Sequence, residues 1–380
     1  MAEPLKHMYD GTFLEDFGSR LEEAWTPFDK VKFAADARRD DWETLELKPR
    51  IRRITEALGA NLPSDYREAI GILYKIDGAC VGFPYLFFPD FVEVYGRQEQ
   101  DWELSMEALA RFTQRSSSEF AVRPFISEHP DRMIPQLLQW AEHPNEHVRR
   151  LSSEGSRPRL PWGQALTLFK RDPAPMIPLL NKLKADPSLY VRKSVANHLN
   201  DIAKDHPQLV IELAERWKGR NERTDWIIRH ACRTLIKQAE PRVMALFGYA
   251  GQEEGAGTAE SLVHDAVLTL SSGEAQIGGE VELRYSFHVT GQNTQQNAGK
   301  LKLRIEYGID FVKAGGKTSM KRFLLSDREY ASGEKASGKR VHRFADLTTR
   351  KHYEGLHVFT LWVNGIETAR TELQLFSSNA

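Results

Sequence analysis

The chain has 380 residues, with 52 Lys and Arg against 53 Asp and Glu and a formal net charge of −1. This length allows two or three domains, and a near-zero net charge excludes any inference about partners from total charge alone. The only two cysteines, Cys80 and Cys232, lie far apart and fit no metal-binding spacing, which predicts reduced thiols in a cytoplasmic protein.

Helical patterns dominate residues 1–250. Helix ends and restarts are visible around Pro49, and the first residues contain no apolar signal region. Residues 83–89 are apolar, but the run is too short and too interrupted by proline to span a bilayer. We therefore expect a soluble protein with no membrane partner, in which this run is a core-packed connection between helices.

Two stretches of the helical region repeat each other. Met133 begins a segment that reaches Val148, and Met176 begins a similar one that reaches Val191, so that the pattern returns after 43 residues. A third, weaker copy occupies residues 207–229. A period of about 40–47 residues with two helices per repeat is typical of HEAT and armadillo proteins. Stacked repeats of this kind form a solenoid with one concave face.

Basic residues are concentrated in these repeats. Residues 149–193 contain ten Lys or Arg against three acids, and residues 216–237 contain seven against two. A basic repeat face within a more acidic remainder indicates a docked polyanion. Solvated lysines and arginines on outer helices explain the same counts about equally well.

The periodicity changes after a glycine-rich segment. Residues 251–258 lack large apolar side chains and are predicted to be a linker. Apolar and polar residues then alternate at 281–289 and 301–307, with further strands at 357–365 and 371–376. About seven short strands predict an immunoglobulin-like sandwich over residues 259–380. The predicted fold is therefore multidomain, an all-α HEAT-like repeat solenoid followed by an all-β immunoglobulin-like sandwich.

A basic loop within the sandwich, residues 313–322, has two interpretations. It is either a second contact to a phosphate backbone or an ordinary solvated hairpin tip.

The most distinctive segment is residues 148–162, VRRLSSEGSRPRLPW. A basic helix end is followed by a loop of Gly, Pro and Arg that contains one carboxylate, Glu154, and one Trp162. Arg and Ser side chains in such a loop bind phosphates, while a carboxylate and an indole suit a cationic group. The sequence contains no nucleophile elbow, phosphate loop, dinucleotide fingerprint or metal-ligand cluster. Chemistry is therefore expected from carboxylates, aromatics and arginines.

Each candidate residue also has a structural interpretation. Ser116 and Glu119 fit a capping box, which is the favoured interpretation of Glu119. Glu154 lies near a helix C-terminus, where an acid opposes the helix dipole by about 0.3–1 kcal/mol, so a purely structural role is less convincing. Solvated helix surface is the default for Asp201. Packing is the commoner role for a residue such as Trp162.

At these residues the chain resembles the AlkC family of bacterial DNA alkylation-repair glycosylases, which are HEAT-like relatives of the AlkD enzymes. The resemblance rests on loop 149–162 and on residues 3–6, EPLK, and it covers the whole helical portion. A C-terminal immunoglobulin-like domain also matches the longer branch of the family. The resemblance implies hydrolysis of the N-glycosidic bond of cationic alkylated bases, chiefly 3-methyladenine and 3-methylcytosine, in duplex DNA.

The resemblance also implies how the reaction takes place. The site would lie on the concave face and lack a base-flipping pocket, and it would need no cofactor or metal. A single continuous DNA-binding face requires only a monomer, and the expected location is the bacterial cytoplasm, associated with the nucleoid. The family's active-site residues fall on Glu119, Arg150, Glu154, Trp162 and Asp201.

These residues would have different roles. Glu154 and Asp201 would stabilise the charge of the oxocarbenium-like sugar and position water, with Glu119 completing the acidic cluster. Trp162 would face the cationic nucleotide, and Arg150 would fix a phosphate or enter the duplex. The candidates for contacts with DNA are Arg149, Ser153, Ser156, Arg157, Arg159, Arg192 and Lys193.

Two alternatives remain open at this stage. Periodicity alone favours a non-catalytic scaffold that binds nucleic acid or protein, whereas the acids in the basic loop and the resemblance favour a glycosylase. The sandwich contacts either DNA or a protein. A shallower salt dependence of DNA binding after deletion of residues 259–380 would favour contact with DNA.

Overall fold

The computed structural model describes residues 4–250, 262–290, 300–346 and 351–377. The chain divides into two compact units, one ending at Cys232 and the other beginning at Arg233. This division precedes the boundary expected at residue 250, so the last two helices belong to the same unit as the strands. The linker predicted at residues 251–258 lies outside the described residues. Within those residues, no helix is both long and apolar enough to cross a membrane.

The first unit consists of fourteen α-helices within its described residues, joined by short turns and single 3₁₀ turns. They are α1 (Gly11–Ala24), α2 (Lys30–Ala37), α3 (Leu47–Asn61), α4 (Tyr66–Ile76), α5 (Phe87–Tyr95), α6 (Trp102–Phe112), α7 (Val122–Glu128), α8 (Pro130–Trp140), α9 (Glu146–Gly155), α10 (Thr167–Arg171), α11 (Ile177–Leu183), α12 (Leu189–Ile202), α13 (Pro207–Trp217) and α14 (Glu222–Ala231). Within the apolar run at 83–89, Phe87 and Phe88 are buried as predicted, but they form the start of α5 rather than a connection, and Phe83 in the preceding turn is exposed.

The repeat predicted from the sequence corresponds to two helix pairs, α8 with α9 and α11 with α12. Asn145 and Ser188, which are 43 residues apart, cap the second helix of each pair by accepting a backbone N–H two residues further on. Helix α12 packs against both α9 and α14. The repeat therefore places the C-terminal half of α9 beside α12, where the candidate site lies.

Within the residues that the structure describes, the second unit contains two helices and two β-sheets. Its elements are α15 (Arg233–Gln238), α16 (Pro241–Leu246), β1 (Val263–Leu270), β2 (Glu274–Gln276), β3 (Glu280–Val289), β4 (Lys300–Val312), β5 (Thr318–Ala331), β6 (Lys335–Arg343), β7 (Gly355–Val363) and β8 (Ile366–Phe376). One sheet has the order β1-β3-β6 and the other β2-β8-β7-β4-β5, and every pairing is antiparallel except β2 with β8.

The core of this unit is formed by the alternate apolar residues of the strands. Leu283, Phe287, Ile305 and Phe359 are fully buried in it, as the period-two pattern predicts. The basic segment 313–322 is the turn between β4 and β5 together with the first residues of β5. The sandwich expected from the sequence is thus present. The four segments predicted as strands correspond to β3, β4, β7 and β8, and β1, β2, β5 and β6 complete the eight strands of the described residues.

Candidate active site

The C-terminal half of α9 presents the most distinctive acid of the sequence. Asn145 caps the start of the helix, and the helix ends at Gly155, as expected for Glu154 near a C-terminus. A Cβ at Gly155 would lie 2.5 Å from Val122 Cγ1, so only glycine allows α9 to approach α7 this closely. Glu154 is only 6% exposed at this position.

Glu154 belongs to a chain of alternating charges. The chain connects the turn before α7, helix α9 with the loop that follows it, and helix α12. Arg157 Nη1 lies 2.6 Å from Glu154 Oε1, and Arg157 Nη2 lies 2.8 Å from Asp201 Oδ2 on α12. Arg150 Nη2 lies 2.7 Å from Glu119 Oε2 and 3.8 Å from Glu154 Oε1. Lys204 extends the chain, with Nζ 3.0 Å from Asp201 Oδ1. We refer to Glu119, Arg150, Glu154, Arg157, Asp201 and Lys204 as the charge cluster.

The cluster balances three carboxylates with three cations. Burial alone would raise the pKa of Glu154, but Arg157 and Arg150 outweigh burial and hold it below its usual range. Burial likewise opposes the charge of Arg150, whereas Glu119 and Glu154 favour it, and the net result is a raised pKa for Arg150. Glu154 is therefore an anion at neutral pH although it is almost completely buried.

Two structural interpretations of the acids are wrong. Asp201 does not lie on a solvated surface, because it is 2% exposed and paired with two cations. Glu119 does not cap a helix. The N-cap of the next helix is Ala121 without a side-chain cap, and Glu119 instead accepts a 3.0 Å bond from Ser117 Oγ and pairs with Arg150. Because Glu119 and Arg150 are far apart along the chain, local sequence patterns do not predict this contact.

Trp162 stands out from the loop that follows α9. Its side chain is 63% exposed and its backbone φ is 63°, so the packing role is not supported. Lys48 Nζ donates to Trp162 O at 2.7 Å and fixes the backbone at this turn. A non-glycine residue at positive φ is uncommon and costs about 1–3 kcal/mol, which the rest of the loop must offset.

The buried Arg123 holds the base of this loop. Its Nε donates to Gln164 O at 2.6 Å, and its Nη1 donates to Gly155 O at 2.8 Å and Arg157 O at 2.9 Å. Burial, with a contribution from Arg157, lowers the pKa of Arg123 to about 10. Arg123 was not among the residues predicted from the sequence. An arginine inside the apolar stretch Val122–Phe125 of α7 was the available signal.

The predicted DNA contacts separate into two groups. Ser153 and Ser156 are fully buried, and their hydroxyls bond to Ser194 Oγ and Ser152 O, which contradicts a phosphate contact. Arg157 is also buried, and its contacts are made within the charge cluster, so the same correction applies. The two serines expose no surface to a phosphate, and the guanidinium of Arg157 is already paired with two carboxylates of the charge cluster.

The remaining candidates lie closer to solvent. Arg149 and Arg192 occupy equivalent repeat positions, and each donates to two carbonyls of the loop before its helix. Arg159 is partly exposed and pairs with Asp205, and Lys193 is exposed. The structure thus adds a folding role for Arg149 and Arg192, and phosphate binding by these four residues stays a prediction.

A fully buried histidine supports the cluster from α12. His198 Nδ1 lies 3.0 Å from Ser153 O, and burial, followed by the charge of Arg157, lowers the pKa of His198 to about 3. The imidazole is therefore neutral at physiological pH and donates Nδ1–H to the carbonyl. His198 was not among the residues predicted from the sequence.

This depressed pKa has a consequence for stability. Below about pH 6.5 the imidazole of His198 binds a proton in the unfolded state but not in the folded state. The free energy of unfolding therefore falls by about 1.4 kcal/mol for each pH unit below that value and is unaffected above it. His198→Asn should remove this contribution. Urea unfolding at pH 7.5 and 5.5 is expected to show a loss on acidification that is smaller by about 1.4 kcal/mol in the variant. Equal losses in both proteins would contradict the assignment.

Comparisons with known proteins match both parts of the chain. Residues 98–235 match the family model described as DNA alkylation repair enzyme. Residues 264–377 match the one described as uncharacterised protein YhaZ, C-terminal Ig-like domain. The uncharacterized protein YhaZ of Bacillus subtilis (strain 168) is 45% identical over 361 residues, 95% of this chain and 96% of its own length.

A solved structure matches almost the whole chain. Pseudomonas fluorescens alkylpurine DNA glycosylase AlkC, bound to DNA containing an abasic site analog, is 37% identical, with a TM-score of 0.90 over 98% of this chain and 100% of that chain. The helical repeats and the DNA alkylation repair match define a DNA-repair glycosylase, a hydrolase. Within that class, the chain belongs to the AlkC family, as the resemblance in the sequence indicated.

Proposed function

We propose that the protein is a monofunctional glycosylase that releases cationic alkylated bases, chiefly 3-methyladenine and 3-methylcytosine, from double-stranded DNA. The observation that carries the proposal is the buried Glu154, which Arg150 and Arg157 keep ionised beside Asp201. Support for DNA as the partner comes from the DNA-bound relative and from the basic residues around the loop.

The charge of the substrate explains why carboxylates are sufficient. A base methylated at N3 already carries a positive charge, so it leaves as a neutral molecule and needs no general acid. As the glycosidic bond breaks, positive charge moves to the sugar. Fixed anions at Glu154 and Asp201 stabilise that charge, and they do so strongly because the site is shielded from water. One of the two also accepts a hydrogen bond from the attacking water.

The surroundings of the charge cluster fit a site that contacts the surface of duplex DNA. A cavity of about 540 Å³ lies beside α3, α5 and α7, but none of the five candidate catalytic residues lines it. The indole of Trp162 is exposed and available to the cationic nucleotide, an interaction of about 0.5–2 kcal/mol. This arrangement supports catalysis without a base-flipping pocket, by a monomer that contains the complete site.

The test is single-turnover release of 3-methyladenine and 3-methylcytosine from methylated duplex DNA. We expect release by the wild type without strand cleavage. Glu154→Gln should slow it by at least about 100-fold while DNA affinity is retained, because the amide removes the charge and little volume. Glu146→Gln, at the exposed start of the same helix, is the matched control and should release bases normally.

Each result has a defined meaning. Absence of base release by folded wild-type protein would overturn the enzyme proposal and leave a scaffold that binds nucleic acid or protein. Normal release by Glu154→Gln would retain the glycosylase but remove Glu154 from the chemistry. Strand cleavage after release would contradict the monofunctional mechanism.

A further inference from the structure

Two histidines face each other on the smaller sheet of the second unit. His264 on β1 and His288 on β3 are paired across the antiparallel ladder. Residues that are directly opposite in such a ladder project from the same face, with Cβ atoms about 4.5–5.5 Å apart. The rings accordingly stack, with centroids 5.3 Å apart and planes inclined by 18°.

A β-bulge in β1 turns the side chain of Asp265 toward both rings. Asp265 follows His264 and would project from the opposite face of a regular strand. However, the register shifts between His264 and Val267, and Asp265 has a φ of 54°. Such β-bulges redirect side chains. As a result, Asp265 Oδ2 lies 2.9 Å from His264 Nδ1 and 3.6 Å from His288 Nδ1.

These distances match the spacing of ligands around a metal ion. Donor atoms about 2.0–2.1 Å from a tetrahedral zinc ion are about 3.3 Å apart, and the two observed separations lie on either side of that value. All three ligand atoms lie within 4.8 Å of one another. In addition, His288 Nδ1 is buried and has no hydrogen-bond partner, so it has a lone pair or a proton that the protein leaves unsatisfied.

We propose that His264, Asp265 and His288 bind one divalent transition-metal ion of the zinc class and thereby cross-link β1 and β3. Two imidazole nitrogens and one carboxylate oxygen suit Zn²⁺, Co²⁺ or Ni²⁺, whereas Mg²⁺ and Ca²⁺ prefer sites made of oxygen alone. His264 and Asp265 are exposed, so water completes the coordination. These three residues belong to the second unit, whereas the charge cluster belongs to the first.

The neighbouring Lys335 allows an independent test of the affinity for the metal ion. Lys335 on β6 is the ladder partner of His288 and is exposed. Its positive charge opposes a bound metal ion. Removing that charge in Lys335→Gln is therefore expected to tighten metal binding, in the opposite direction to removal of a ligand.

The experiment is a calorimetric titration of the full, untagged chain with zinc chloride, together with the visible absorption spectrum after addition of Co²⁺. We expect one equivalent to bind. Asp265→Asn, His264→Ala and His288→Ala should each weaken binding by at least about tenfold and change the cobalt spectrum. His7→Ala, at an exposed histidine in the first unit, should change neither.

Asp265→Asn keeps the proposal testable if the alanine variants fold poorly, because asparagine tolerates positive φ and retains the bulge. The proposal is wrong if the wild type binds no equivalent of zinc at this site. It is equally wrong if Asp265→Asn and the histidine variants retain wild-type affinity, which would show adventitious binding elsewhere.

Discussion

Replacing Arg157 with methionine is expected to lower the free energy of unfolding by about 3–5 kcal/mol, because it leaves two buried carboxylates without their shared cation. Arg157 lies between Glu154 and Asp201, and all three side chains are at most 8% exposed. Methionine fills a similar volume but supplies neither charge nor donors. Urea unfolding at neutral pH, with wild type and variant side by side, measures the loss.

Arg159→Met provides the matched control. Arg159 makes the same kind of pair with Asp205 two residues further along the loop, but there the side chains are 36% and 25% exposed. Pairs that reach solvent contribute about 0–1 kcal/mol. A loss in Arg157→Met no larger than that in Arg159→Met would show that the cluster is not held by its buried charges.

Arg157→Met should also change how base release depends on pH. Arg157 is the largest factor that lowers the pKa of Glu154, and without it only Arg150 and Ser194 still oppose burial, so the pKa rises. A carboxylate that must be ionised then loses activity as the pH falls through the raised pKa and recovers at higher pH. The wild type should show no such loss in the same pH window, because its Glu154 pKa lies below the usual range.

The parts of the fold that depend on local pattern were predictable from the sequence. The 43-residue repeat produced equivalent helix pairs because it repeats both the apolar positions and the capping residues Asn145 and Ser188. Alternation of apolar residues produced the strands of the sandwich. The division between the units was not predictable, because α15 and α16 have helical patterns but pack with the strands.

The candidate site was predictable only in part. Segment 148–162 is conspicuous in the sequence, yet the roles of its residues depend on contacts with distant segments. Arg157 was predicted to contact phosphate but lies buried against Asp201, which is 44 residues away along the chain. Glu119 fits a local capping box but pairs with Arg150. No short-range pattern distinguishes a buried pair of charges from two solvated ones.

The second large effect is expected at Arg123, which acts on the site only through the loop. Arg123→Met removes the donors to the carbonyls of Gly155, Arg157 and Gln164, and each of the two buried acceptors, on Gly155 and Arg157, costs about 1–3 kcal/mol when left without a partner. We expect a loss of about 3 kcal/mol or more in the free energy of unfolding. Base release should fall as well, since Trp162 and Arg157 lose their support.

A readout of loop position separates this role from a general loss of stability. Amide hydrogen exchange should become faster in residues 156–166 of Arg123→Met under conditions in which helices distant from the loop remain protected. Arg97→Met, which removes the exposed pair with Glu128 at the end of the same helix α7, should change neither exchange in the loop nor base release. If exchange in the loop is unchanged in Arg123→Met, the loop is held by its other contacts, and Lys48 at Trp162 O is the next residue to replace.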